Sequence, residues 1–131
     1  MKKHGILNSH IAKLLADLGH TDTIVIADAG LPVPPGVPKI DLALTLGTPG
    51  FREVTKLIAD EMVVEKVTAA QEIESVNPGQ AAFLQAEFSN QKIDYIPHEA
   101  FKKATSQAKA VIRTGEATPY ANCILHAGVI F

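Results

Sequence analysis

The chain has 131 residues, 47% hydrophobic and 20% charged, a length and balance that fit one globular domain spanning residues 1–131. With 12 basic residues against 14 acidic and no basic run beyond Lys2-Lys3 and Lys102-Lys103, it lacks the concentrated positive surface that nucleic-acid binding needs. No stretch approaches the ~20 apolar residues of a membrane span, Asn8, Ser9, His10, Lys13 and Asp17 break up any signal-peptide core, and the single Cys123 excludes an internal disulfide, so the expectation is a soluble, cytoplasmic protein.

Ile11, Leu14, Leu15 and Leu18 recur at i, i+3, i+4 and i+7, one stripe of an amphipathic helix. Asn8 or Ser9 is placed to cap its start, and Gly19 to end it in a left-handed conformation. Residues 23–28 are a short apolar run rich in β-branched side chains and read as a buried strand. Pro32, Pro34, Pro35 and Pro38 make the next segment a stiff loop. Ile40, Leu42 and Leu44 alternate with Asp41 and Ala43, which predicts a second strand. Thr48-Pro49 reads as N-cap and first residue of a second helix, whose apolar face carries Phe51, Val54, Leu57 and Ile58. A third strand falls within residues 63–70. Asn77-Pro78 repeats the cap-and-proline signal for a third helix, with Ala81, Leu84 and Phe88 facing inward. Residues 93–96 read as a fourth strand, 99–108 as a short helix, 110–113 as a fifth strand, 114–120 as a loop and 123–131 as a sixth strand.

Strands alternating with helices predict an α/β domain with a mixed, largely parallel sheet of about six strands flanked by about four helices. The last two strands, joined by a loop alone, are placed to form an antiparallel hairpin. With two Tyr, five Phe and no Trp, the core must be built from Leu, Ile, Val and Ala.

No glycine-rich dinucleotide or triphosphate cradle and no nucleophile elbow is present. Cys123 and His126, three apart on one strand, point to opposite faces, and His98-Glu99 lacks the second histidine of a zinc helix, so no metal site is supported. What remains is a set of polar residues at element ends. In open α/β sheets, ligands bind outside the carboxyl ends of strands. Asp28 ends the first strand, His98 follows the fourth, and Tyr120 and Asn122 precede the sixth. A carboxylate, an imidazole, a phenol and an amide suit a neutral molecule with many hydroxyls. Each also has a plain structural reading: Asp28 as a turn cap, His98 as a helix cap, Tyr120 as packing, Asn122 as a loop acceptor. His20, just after Gly19, reads on position alone as a cation near a helix carboxyl end.

The opening Met1-Lys2-Lys3-His4-Gly5-Ile6-Leu7-Asn8, the blocks Leu18-Gly19-His20-Thr21-Asp22 and Ile26-Ala27-Asp28-Ala29-Gly30-Leu31-Pro32, and the ending Val111-Ile112-Arg113-Thr114-Gly115-Glu116 with Pro119-Tyr120-Ala121-Asn122-Cys123-Ile124-Leu125 resemble the D-ribose pyranase family, which also includes fucose mutarotases. The resemblance spans essentially the whole chain. It implies that His20 is the general acid and that Asp28, His98, Tyr120 and Asn122 bind the sugar. It further implies D-ribose as substrate, no cofactor, and a ring-shaped homo-oligomer, a decamer of two pentamers with sites near subunit contacts. The Asp28-to-Pro32 block favours the ribose branch over the fucose one. The chemistry fits these residue types. Opening a pyranose takes a proton from the anomeric hydroxyl and gives one to the ring oxygen, and a different hydroxyl then closes the furanose. A histidine titrating near neutrality suits both transfers. Open alternatives are fucose anomer exchange, a non-catalytic sugar-binding oligomer linked to ribose transport, and a small hydrolase or metal-dependent enzyme.

Overall fold

The computed structural model describes residues 1–131. Its six strands are β1 (Thr23–Ala27), β2 (Lys39–Asp41), β3 (Val64–Ala70), β4 (Lys92–Ile96), β5 (Val111–Arg113) and β6 (Cys123–Ala127). They form one sheet in the order β2-β5-β1-β6-β3-β4. β1 and β2 each pair with β5 in parallel, as does β3 with β4, whereas β6 runs antiparallel to both β1 and β3. Five strands therefore point one way and one points back. The carboxyl ends of β1 to β5 and the amino end of β6 meet along a single edge of the sheet.

Around the sheet lie α1 (Ser9–Asp17), α2 (Phe51–Ala59), α3 (Glu72–Val76), α4 (Pro78–Glu87) and α5 (His98–Ala104), the last continued by a 3-10 turn over Thr105–Gln107. The period-two alternation of the central strands divides the core. Ile24, Ile26, Cys123 and Leu125 face one side with Ile11, Phe51, Val54, Ile58 and Leu84 from the helices. Val25, Ala27, Val111 and Ile124 face the other, covered by Phe101 of α5 and by Leu31 of the proline loop. Ile24, Val25 and Ile26 are wholly buried, and each such side chain contributes roughly 1.5–3 kcal/mol. That explains why a five-residue segment without charge sits at the centre of the sheet.

Several expectations need correction. The last two strands do not form a hairpin, because β1 lies between β5 and β6. The uncharged β1, apolar from Ile24 to Ala27, is better satisfied with partners on both edges than at a margin. Gly19 does not end α1 in a left-handed conformation: Leu18 leaves the helix extended, and Thr21 takes the positive φ of 72°. The Asp22 carboxylate meanwhile accepts from the Gly19 N–H at 2.8 Å. The second helix starts at Phe51 with Gly50 as its N-cap, since Thr48 is occupied in a tight turn, its N–H donating to the Thr45 carbonyl at 3.0 Å. Leu57 is exposed, and Thr55 takes the buried place predicted for it. The second and sixth strands are shorter than their alternation promised. The α3 helix went unread because five residues between Gln71 and the Asn77-Pro78 breaker show no helical period.

Candidate functional site

Asp28 immediately follows β1, and its carboxylate closes a local turn, Oδ1 accepting from the Gly30 N–H at 2.9 Å. Asn122 stands beside it, just before β6, because the β1–β6 register pairs Ile26 with Cys123. Two reciprocal bonds lock the pair. The Asp28 N–H donates to Asn122 Oδ1 at 2.8 Å, and Asn122 Nδ2 donates to Asp28 Oδ2 at 2.9 Å. Asn122 is completely buried, whereas Asp28 is half-buried. An ionised carboxylate offers about four acceptor positions, and two are used here. Two remain for hydroxyl donors from outside the chain.

Tyr120 is joined to Asn122 by a tight backbone turn, the Asn122 N–H donating to the Tyr120 carbonyl at 2.8 Å. Its φ of 57° is left-handed, a conformation that costs a non-glycine residue on the order of 1 kcal/mol or more. Surrounding contacts must therefore hold it. Its ring meets that of His98 edge-on, with centroids 5.0 Å apart. His98 is the first residue of α5, and on its other side it stacks near Phe101 at 6.3 Å. The His98 Nδ1 is buried and bonds to nothing in the chain. Asp28, Asn122, Tyr120 and His98 thus gather at the sheet edge where the strand ends meet.

His20 is elsewhere. It precedes β1, and the neighbouring Thr21 N–H donates to the carbonyl of Ala127, the last residue of β6. Its Nε2 pairs with Glu65 Oε2 at 2.9 Å, both side chains about half exposed. β1 is regular and fully paired from Thr23 to Ala27, so the five steps from Thr23 to Asp28 span roughly 17 Å at ~3.3 Å per residue. Within one chain, His20 and Asp28 occupy opposite ends of the sheet.

Residues that the sequence did not single out frame the Asp28 cluster. Both Glu72 oxygens accept from the His98 N–H, at 3.1 and 3.0 Å, which anchors the start of α5. Arg113 donates from Nε to the Ala29 carbonyl at 3.0 Å and reaches Asp41 through a second nitrogen at 2.9 Å. The hydrogen bond from the Ala43 N–H, reinforced by the Arg113 guanidinium, holds the Asp41 carboxyl below the usual carboxylate range. No sequence signal marks the Glu72 and Arg113 contacts, because each joins segments distant along the chain. Elsewhere, burial pushes the Cys123 thiol up to about 12, so it is no nucleophile. Nowhere do three or more His, Cys, Asp or Glu side chains converge as metal ligands would. The surface clefts include five of about 150 to 560 Å³, and none of these five is lined by His20, Asp28, His98, Tyr120 or Asn122.

Comparison with known proteins matches residues 1–130 to the model of the RbsD / FucU transport protein family. The chain is 99% identical to the D-ribose pyranase of Bacillus licheniformis, over all of both chains. The structure of Bacillus subtilis RbsD complexed with D-ribose superposes with a TM-score of 0.98 at 66% identity, again covering all of both chains. The fucose mutarotase of Streptococcus pneumoniae in complex with L-fucose shares the fold, with a TM-score of 0.84 at 24% identity over 99% of this chain and 100% of that one.

Proposed function

The chain belongs to the RbsD / FucU transport protein family, and we propose that it is an isomerase carrying out the D-ribose pyranase reaction, the exchange of β-ribopyranose and β-ribofuranose. The observation that carries this reading is the near-identity over the full length to a D-ribose pyranase, far above the 24% shared with the fucose mutarotase. The chemistry agrees with it. Ring opening and reclosure are proton transfers between oxygens, needing neither an electron sink nor a hydride carrier.

The geometry supports sugar-binding roles for Asp28, Asn122, Tyr120 and His98, and the family resemblance supplies the role of His20. The two free acceptor positions of Asp28 receive sugar hydroxyls, and its bonds to Asn122 and Gly30 fix their direction. Tyr120 and His98 present a phenol and an imidazole beside it, and the unpaired His98 Nδ1 is satisfied when the site fills. A buried polar atom left without a partner costs about 1–3 kcal/mol, so ligand binding regains part of that loss. His20, about half exposed and carrying an imidazole that can both give and take a proton, is the group that carries the proton.

Because His20 and Asp28 lie at opposite ends of β1, a complete centre takes His20 from one chain and the other four residues from a neighbour. A closed ring brings unlike surfaces together and does this at every contact. Apolar side chains are bare at both ends. Leu44 and Leu46 are exposed beside Ala29 and Gly115, and Ile130 and Phe131 are exposed beyond Ala127. The assembly proposed is a ring-shaped homo-oligomer, two stacked pentamers making a decamer. No helix is long and apolar enough to cross a membrane, and the proposed location is the cytoplasm. The test is the rate of ribose ring exchange, measured by NMR saturation transfer with and without protein. Catalytic amounts should accelerate it, and fucose anomer exchange should be accelerated less. A binding-only oligomer would leave the ribose rate unchanged.

A further inference from the structure

We propose that Glu116, in the loop between β5 and β6, is a positioning residue that holds Tyr120 and the Asp28 turn in register for the sugar; this rests on the ribose reading above. Its backbone carbonyl accepts from the Ala29 N–H at 2.9 Å, one residue beyond Asp28. Its own N–H donates at 3.1 Å to Thr114 Oγ1, and the Thr114 hydroxyl donates at 2.8 Å to the carbonyl of Ala27. The loop is thus stitched to the end of β1 on both sides of Asp28.

The carboxylate then links that end of β1 to the tyrosine. Oε1 accepts from the Phe51 N–H at 3.1 Å, where α2 begins, and from Gln80 Nε2 of α4 at 3.2 Å. The Gln80 side chain is buried and held in turn by Arg52 Nε at 3.0 Å. Oε2 accepts from the Thr118 N–H at 3.3 Å and from its hydroxyl at 2.9 Å. Asn77 completes the clamp, Nδ2 donating to Thr118 Oγ1 at 3.0 Å and to the Pro119 carbonyl at 2.8 Å. The preceding residue cannot yield either. A Cβ on Gly115 would lie 2.6 Å from backbone atoms of Thr45 and Thr48.

A helix cap alone explains the Phe51 contact. It does not explain the arm to Thr118, an exposed residue two places before a tyrosine in a left-handed conformation. Such a backbone persists only where its surroundings over-determine it. Residues 118 and 119 are fixed by Glu116 and Asn77, so Tyr120 is delivered to His98 and Asn122 at a set angle.

The test uses the full-length oligomer, with ribose as the titrated ligand. Thr118→Ala removes the hydroxyl's bonds to Glu116 Oε2 and Asn77 Nδ2 and keeps the N–H bond to Glu116, at an exposed position where substitutions leave stability nearly unchanged. It should raise the ribose Kd and KM about three- to tenfold, the loss expected when one or two ordering hydrogen bonds go, with kcat little altered. Glu116→Ala should raise both further. The double variant should lose less than the sum of the two single losses, because both substitutions remove the same bond between Glu116 and the Thr118 hydroxyl. Should Glu116→Ala not fold, Thr118→Ala carries the test alone. Thr118→Ala that binds ribose as wild type does, or losses that simply add in the double variant, would overturn the role. Wild-type protein that does not bind ribose would sink the ribose reading itself, a separate and distinguishable failure.

Discussion

Asn122→Ala perturbs the Asp28 cluster while leaving every titratable group in place. Asn122 is fully buried and spends both ends of its amide on Asp28, at 2.8 and 2.9 Å. Alanine leaves the Asp28 N–H without its acceptor and the carboxylate short of one donor. Losing a neutral bond costs a net ~0.5–1.5 kcal/mol, and losing one to a charged group ~1.5–3 kcal/mol. Water entering the vacated space offsets part of the sum, so the expected destabilisation is about 2–3 kcal/mol. Urea unfolding followed by circular dichroism reads this as a lowered midpoint at unchanged slope. Ribose affinity should fall about tenfold or more, since a freed carboxylate no longer points its open positions at the sugar. Asn122→Asp separates geometry from charge. It keeps the shape but sets a second carboxylate against Asp28 Oδ2, a repulsion of up to about 4 kcal/mol at 4 Å in a partly solvated site. When pH falls far enough for one carboxyl of the pair to take up a proton, that repulsion is relieved. Asn122→Asp should therefore recover stability relative to wild type, and Asn122→Ala should not. An Asn122→Ala protein within about 0.5 kcal/mol of wild type that binds ribose normally would refute the reasoning.

Three further outcomes follow from the same geometry. His20→Ala should leave the fold intact, because its pair with Glu65 is exposed and worth at most about 1 kcal/mol, while ring exchange slows ~10²–10⁴-fold. A folded variant with a near-normal rate would remove His20 from the mechanism. His126, hydrogen-bonded to Thr68 at 2.9 Å, is held below the ordinary histidine value by burial and by Lys66, against the opposing pull of Asp94 and Glu65. The unfolded chain then binds the proton more readily, so wild type should lose stability relative to His126→Gln as pH falls through 6.5; unfolding midpoints that stay parallel across that range would contradict it. Exhaustive chelation should leave ribose exchange unchanged, and loss of activity restored by a single metal ion would overturn the acid–base account.

Much of this was legible in the sequence because it depended on local rules. The buried β1 announced itself through five apolar or β-branched residues, and the Asn77-Pro78 signal located α4 to within a residue. The placing of Asp28, His98, Tyr120 and Asn122 at one edge followed from the rule about strand ends, once the strands were counted. What could not be read was pairing. Nothing local tells β6 to insert between β1 and β3 instead of folding back on β5, a choice made by burying β1 on both edges. The same holds for Glu72 and Glu116. Each acts on a segment it meets only in the folded chain, 26 residues away in sequence from Glu72 to His98 and 65 from Glu116 to Phe51. The separation of His20 from Asp28 follows from the length of β1, which is regular and paired from Thr23 to Ala27.

The proposed centre draws its proton-carrying and sugar-holding groups from different chains. Subunit mixing tests it most directly. His20→Ala and Asp28→Ala proteins, each inactive alone, are combined under conditions that permit exchange, and mixed oligomers are verified by mass spectrometry. Ribose exchange by saturation transfer should then regain part of the wild-type rate, because some contacts unite an intact His20 with an intact Asp28. Mixed oligomers with no activity at all would mean that both residues act within one chain, and the site described here would be wrong.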